Sequence, residues 1–331
     1  MRAIKLLGWT LVWVVALSCV AWATGALYYD FPLVALRLPA SIAFVCLLVA
    51  TTIFVRGTML KLLSILSGFA LVVFWWLTLR PSNDRHWQPD VAQTAWAEID
   101  GDVVTLHNVR NCDYRTETDY VPRWETRTLR LSQITGLDLV INYWGSPYMA
   151  HPIASFQLTD APPICFSIET RKEIGENYST IGGLYRQYEL IYVCADERDV
   201  IRVRTNYRDS EDVYLYHIVA SSVQARKRFL GYVKTLNALH TSARWYNAVT
   251  TNCTTSIRAQ HPTNERTPWD WRILVNGKAD ELLYERGLIA HDGLRFPELK
   301  ERSRINQRAR AADQDPDFST RVREGLPGFG R

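Results

Sequence analysis

The first eighty residues contain three long apolar runs, Leu6–Tyr28, Val34–Val55 and Leu62–Leu79. Each comes close to the ~20 apolar residues that cross a hydrocarbon core of ~30 Å. Arg2 and Lys5 stand ahead of the first run, as they would in a signal peptide. That run is too long for a signal h-region, however, and two further spans follow it. Residues 1–80 are therefore read as a membrane domain of three transmembrane helices, at about 6–28, 34–55 and 62–79.

Flanking charge sets the expected orientation. Arg2 and Lys5 precede the first span, Arg56 and Lys61 fill the connection between the second and third, and the YYDFP connection between the first and second has no Lys or Arg. By the positive-inside rule the N-terminus and the second connection are cytoplasmic. Everything after about Arg80 then lies on the far side, which for a bacterial inner membrane is the periplasm. Trp75 and Trp76 sit where an interfacial anchor is expected.

Residues 81–97 read as a linker. Its opening stretch, RPSNDRHWQPD (Arg80–Asp90), reaches about 35–40 Å when fully extended. Residues 98–331 read as one outer domain near the membrane. The net charge of +4 is dispersed, and the Arg-rich piece Arg302–Arg310 is interrupted by other residue types, so a nucleic-acid-binding stripe is not expected.

Alternation in Glu98–Val109, with a DGD turn signal, predicts strand structure, as do Thr126–Leu131 and Leu137–Tyr143. His151–Leu158 and Ile164–Arg171 flank TDAPP and read as a hairpin. Tyr188–Ala195 with Val200–Tyr207 reads as a further strand pair, and Val213–Ile218 as another strand. From Ser221 to Ala238 the apolar spacing becomes helical, with Ser221 or Ser222 as N-cap. Helices are also expected at Asp280–Arg286 and Pro297–Ala312, and an extended tail at GLPGFGR. The fold class is α+β: an antiparallel sheet with helices collected late in the chain.

One segment suggests chemistry. In WYNAVTTNCTTSIRAQ (Trp245–Gln260), a lone cysteine, Cys253, precedes residues that can start a helix. A thiol there would meet the positive end of the helix dipole, which favours the thiolate. Free N–H groups nearby would stabilise an oxyanion, with Asn252 and Thr254 as polar support. His151, at the mouth of a strand, is the candidate base. In the expected hairpin register residue 158 faces 164 and 151 faces 171, which puts Glu169 one diagonal step from His151 as the orienting carboxylate; Glu173 is the alternative. Against this stand plainer roles: a buried structural thiol, or disulfides among Cys112, Cys165, Cys194 and Cys253 in an oxidising compartment. No CxxC or HExxH occurs, so neither a metal site nor a cofactor is expected. Trp269 and Trp271 of PWDW read as core or interface.

The stretches NDRHWQPD, AEIDGDVVTLHNVRN, DYRTETDYVPRWETR, YWGSPYMAH, SIETRKEIGENYS, YELIYVCADERDVIRVRTNYR, WYNAVTTNCTT and PWDWRILVNG resemble the periplasmic domain of the Lnb-type lipoprotein N-acyltransferases. The resemblance runs from about Asn83 to the C-terminus. It implies a circularly permuted papain-like core, related to NlpC/P60, in which a histidine on a strand comes first and a cysteine at a helix start follows. His151 and then Cys253 match that order. It also implies a membrane-anchored acyltransferase that works through a thioester, with a lipoprotein or membrane lipid as substrate and the N-terminal amine of a diacylglyceryl lipoprotein as acceptor. One departure is that the family's named enzymes carry membrane helices after the catalytic domain, whereas here three precede it. Two alternatives remain open: a papain-like peptidase or amidase at the cell envelope, and a non-catalytic envelope binding module.

Overall fold

The computed structural model describes residues 2–251, 253–259, 268–273 and 276–330, with backbone alone at 2–4, 253, 254 and 259. The chain forms two compact units. The first comprises residues up to Pro81 with Tyr178–Glu189 and Trp245–Ala248, and the second comprises the remainder.

In the first unit the apolar runs are helices α1 (Arg2–Asp30), α2 (Val34–Phe54) and α3 (Thr58–Thr78), each long and apolar enough to cross a membrane. Pro32 interrupts the chain between α1 and α2. Gly57, at φ +97°, makes the turn into α3, a conformation open to glycine because it lacks Cβ. Small residues let the helices approach: Ala16 packs with Leu48, Leu62 and Ile65, and Ala23 and Ala26 pack with Val72. Tyr185 stacks on Tyr29 with ring centroids 5.3 Å apart. A Cβ at Gly25 would stand 2.0 Å from the Tyr185 hydroxyl, so any side chain there would have to displace the Tyr185 ring.

The second unit is built on a sheet of β1 (Trp96–Asp100), β2 (Val103–Arg110), β5 (Trp124–Arg130), β6 (Ile134–Trp144), β7 (Ala150–Leu158), β8 (Ala161–Arg171), β9 (Glu189–Asp196) and β10 (Glu211–His217). Their order is β1-β2-β9-β8-β7-β6-β10, with β5 also on β2; β3 (Asp113–Tyr114) and β4 (Tyr120–Val121) form a separate pair. Helices α4 (Glu197–Val200), α5 (Ser222–Thr241), α6 (Cys253–Ala259), α7 (Ala279–Glu285), α8 (Phe296–Arg302), α9 (Asn306–Ala311) and α10 (Phe318–Arg321) complete an α+β fold. The sheet is not wholly antiparallel, because β2 and β9 meet in parallel at Arg110 and Ala195.

Alternation along the strands gives the sheet two faces. On one, Phe156 and Phe166 meet Phe229 and Tyr232 of α5 at centroid distances of 5.0–5.8 Å. α5 opens with a capping box: the Ser221 hydroxyl accepts from Gln224 N–H, and the Gln224 side chain accepts from Ser221 N–H. On the other face Val140, Ile153, Cys165, Ile191 and Val193 pack against Val200, Ile201, Ile305, Phe318, Val322 and Leu326.

Four details differ from the sequence reading. Val200–Tyr207 is helical rather than a strand. Asp196 caps α4 by accepting from Arg198 N–H at 2.8 Å, and the chain continues through a π-turn at Val203–Tyr207. This geometry buries Val200, Ile201 and Val203 together, whereas strict alternation would have divided them between two faces. The expected helix at Pro297–Ala312 is two helices, because Ser303 and Ile305 leave the helix to bond with β10: Leu215 N–H donates to Ser303 O, and Ile305 N–H to Val213 O. Instead of running extended, the described residues of the GLPGFGR tail, 325–330, turn back and bury Leu326. Finally, Ile153 pairs with Ser167 and Phe156 with Ile164, a two-residue shift from the expected hairpin register. The turn is tighter than expected, at Thr159–Asp160, with Asp160 in the left-handed region.

Candidate active site

His151 is the second residue of β7, and the observed register brings β8 across from it. Its Nε2 lies 2.7 Å from Ser167 Oγ, and Ser167 Oγ donates to Glu169 Oε1 at 2.6 Å. A serine hydroxyl has one proton, so His151 must be the donor in the first contact, which places its proton on Nε2 and leaves the Nδ1 lone pair available. Glu169 Oε1 is 3.9 Å from His151 Nε2 and accepts from Arg204 Nη2 at 2.9 Å. The carboxylate therefore orients the imidazole through a hydroxyl, with Arg204 holding the carboxylate.

Burial alone would raise the Glu169 pKa, but Arg204 first, then Arg110, His151 and the Ser167 hydroxyl, hold it well below the usual carboxylate range. Burial pushes His151 down to about 3, and Arg204 acts in the same direction, outweighing the Glu169 carboxylate. The imidazole is thus neutral at pH 7, as a general base must be before it acts.

Sequence reasoning missed Ser167 and Arg204. Ser167 lies two residues from Glu169 on the same strand face and could have been found from alternation alone. Arg204 was hidden by the strand expected at Val200–Tyr207. Glu173 lies beyond the end of β8 and pairs with Arg85 at 2.9 Å, so Glu169 is the carboxylate brought to His151.

The thiols of Cys112, Cys165 and Cys194 are free and buried. Burial raises all three, Cys112 and Cys194 to about 12. The disulfides that an oxidising compartment would permit do not form among these three. Trp269 and Trp271 are 61% and 57% exposed, so neither is core.

Cys253 is the first residue of α6, and α6 packs against β7 and β8. The side chains of Cys253 and Thr254, and all of Asn252, lie outside the described residues. On the α6 side a cavity of about 620 Å³ is lined by Pro152 and Ala154 of β7, Leu139 of β6, Ile257 and Arg258 of α6, and Leu282 of α7. Alternation along β7 places Pro152 and Ala154 on one face and His151 on the other. The imidazole and the cavity therefore lie on opposite sides of the strand, two residues from its N-terminal end. Among the described residues no group of three or more His, Cys, Asp or Glu could hold a metal ion.

Residues 120–277 match the model of the Lnb N-terminal periplasmic domain. Comparison with curated proteins and with solved structures gave no match. The chain thus combines three helices long and apolar enough to cross a membrane with a region that is similar to a periplasmic domain family.

Proposed function

We propose, on the premise that residues 120–277 belong to the Lnb N-terminal periplasmic domain family, that the protein is a cysteine acyltransferase of the bacterial inner membrane, with its N-terminus cytoplasmic and its C-terminal domain periplasmic. The observation that carries this reading is that α6, which begins at Cys253, packs against the two strands that bear His151 and Glu169. We assign the permuted papain-like fold on the same ground, since a thiol at a helix start and a histidine on the adjoining sheet is that fold's arrangement. Residues 1–80 act as the membrane domain and 98–331 as the thiol-enzyme domain.

His151 Nδ1 takes the thiol proton as Cys253 attacks an ester carbonyl. The low pKa of His151 makes this transfer part of the attack, rather than leaving a resting thiolate–imidazolium pair. An S–C bond forms, and backbone N–H groups at the start of α6, with Asn252 and Thr254, hold the oxyanion. The C–O bond then breaks, and the imidazolium protonates the departing alkoxide. An amine attacks the thioester, its surplus proton passes to the released thiolate, and an amide leaves. The substrate is a lipoprotein or a membrane lipid. The aliphatic lining beside α6 suits an acyl chain better than it suits the peptide of an envelope peptidase or amidase.

A second reading, a non-catalytic envelope binding module, is favoured by one observation: His151 and the α6-side cavity lie on opposite faces of β7. The two readings part in a pH series of Cys253 alkylation, with Cys112, Cys165 and Cys194 replaced and His151→Ala run alongside. A thiol pKa below the ~8.5 of free cysteine that moves when His151 is removed supports the enzyme. An inert thiol, or one indifferent to His151, leaves the binding module.

A further inference from the structure

Tyr185 is packed among the helices of the first unit rather than beyond their ends. Its ring lies against Tyr29 and Trp22, with centroids 5.3 and 6.0 Å apart, its hydroxyl meets Gly25, and it joins the cluster of Ala23, Ala26 and Val72. Gly25 stands five residues before the end of α1 at Asp30, and Val72 six residues before the end of α3 at Thr78. At 1.5 Å of rise per residue, the tyrosine reaches about 7.5–9 Å inside the helix ends. If α1 and α3 cross a membrane, part of the segment Tyr178–Glu189 enters it beside them.

A non-helical backbone at that depth must satisfy its own polar groups, and this one does. Gly183 N–H donates to Ser179 O, Leu184 N–H to Ile181 O and Tyr185 N–H to Gly182 O. Gly182 N–H donates to Ser179 Oγ at 3.0 Å, Ser179 N–H to Tyr188 Oη at 2.9 Å, and Arg186 N–H to the Asp30 carboxylate. From Tyr178 to Tyr185 the chain carries no charged residue, yet Ile181 and Leu184 are 58% and 44% exposed. The first charge, Arg186, turns back to the end of α3, where its guanidinium covers the Trp76 ring and donates to the carbonyls of Trp76 and Leu79. A long cationic side chain at a membrane boundary behaves in this way.

Water gives two exposed aliphatic side chains nothing, whereas lipid chains do. Ile181 and Leu184 belong to the same compact unit as the exposed apolar flanks of α1–α3, Leu71 and Phe74 among them. The occupant that covers those flanks in a membrane is lipid. We propose that the turn Tyr178–Tyr185 is inserted into the leaflet at which α1 and α3 end, with Ile181 and Leu184 against lipid chains. The depth agrees with the ~5–10 Å to which interfacial segments bury their apolar side. The inference goes beyond the acyl-transfer reading and does not rest on it.

The test uses the full chain in nanodiscs of phosphatidylethanolamine and phosphatidylglycerol that carry a radiolabelled phospholipid. The photo-cross-linker p-benzoylphenylalanine is placed in turn at Ile181 and at Leu184. Leu71 of α3 serves as the lipid-facing reference, and Asp160, in the turn between β7 and β8, as the exposed polar one. Irradiation should give lipid adducts at 181 and 184 within about three-fold of the yield at 71 and at least about ten-fold above that at 160. A variant that no longer melts cooperatively is discarded, and the other position is read. Yields no higher than at 160, or cross-links to a second copy of the chain in place of lipid, overturn the proposal. Cys253→Ala should leave the adducts unchanged, so a chain that forms them while no acyl-enzyme can be trapped loses the acyl-transfer reading and keeps the inserted turn.

Discussion

Asp30, at the end of α1, accepts the backbone N–H of Arg186 at 3.1 Å on both carboxylate oxygens. The same carboxylate accepts from Trp76 Nε1 at 2.6 Å. The Arg186 guanidinium lies 3.8 Å from the Trp76 ring centroid and donates to the carbonyls of Trp76 and Leu79. The segment Tyr178–Glu189 is thereby fixed to the ends of α1 and α3. It holds a second segment in turn, since Ala248 N–H donates to Gly183 O and Tyr246 N–H to Tyr188 O. Cys253 follows Ala248 by five positions in the chain.

Asp30→Ala removes the shared acceptor and leaves two donors to find new partners, at a cost of about 1–3 kcal/mol. Because the loss is local, amide hydrogen exchange should rise about ten-fold or more across Tyr178–Glu189 and Trp245–Ala248, while β6 and β7 keep their protection. Unchanged exchange in both segments would show that the clamp is not what holds them.

Asp30 could not have been placed from sequence, because its partners are 46 and 156 positions away. What could be read were features with a local period: three apolar runs of span length, alternation in β6, β7 and β8, and the Ser221 cap of α5. Even the mistaken hairpin register kept every side chain on its proper face, because the error was two residues and the strand period is two. That is why Glu169 survived as the partner of His151 while its position relative to it changed. VIRVRTNY (Val200–Tyr207) failed for the converse reason: its alternation imitates a strand, and only tertiary burial of Val200, Ile201 and Val203 selects the helical turn.

Phe229 of α5 meets Phe156 at 5.3 Å and Phe166 at 5.6 Å, edge to face, and is fully buried. Truncation to Ala removes both ring contacts and opens a cavity in the core of the second unit. The expected loss is about 3–5 kcal/mol, read as a fall in the urea midpoint with the slope unchanged. A loss below about 1 kcal/mol would mean that α5 can slide in to fill the gap.

Two substitutions should move the His151 pKa in opposite directions. Arg204→Met removes a cation that lowers it, so the pKa should rise from about 3 towards the ordinary 6.5. Glu169→Gln removes the anion that raises it, and should drive it lower still. Titration of 15N-labelled histidine by NMR reads both. Shifts of the same sign would show that structural relaxation, rather than charge, controls the imidazole.

The same pair makes the fold sensitive to acid. With a folded pKa of about 3 against an unfolded value of 6.5, His151 binds no proton in the native state across a window in which the unfolded chain binds one. Stability therefore falls as pH drops from 6.5 towards 3. Glu169 acts with the same sign below the ordinary glutamate value of 4.5, since its native form stays ionised to lower pH. Between pH 6.5 and 5 most carboxylates are still ionised, so the early part of the decline belongs mainly to His151, with a size on the order of 1–2 kcal/mol. His151→Gln keeps a donor for Ser167 without a titrating ring. Its urea midpoint should change less than that of the wild type over this interval, and the gap should go on widening until about pH 3, below which the two should decline together. Parallel curves from pH 7 to 5 would mean that His151 is protonated in the folded protein as readily as in the unfolded chain, which its burial and the nearby charge of Arg204 argue against.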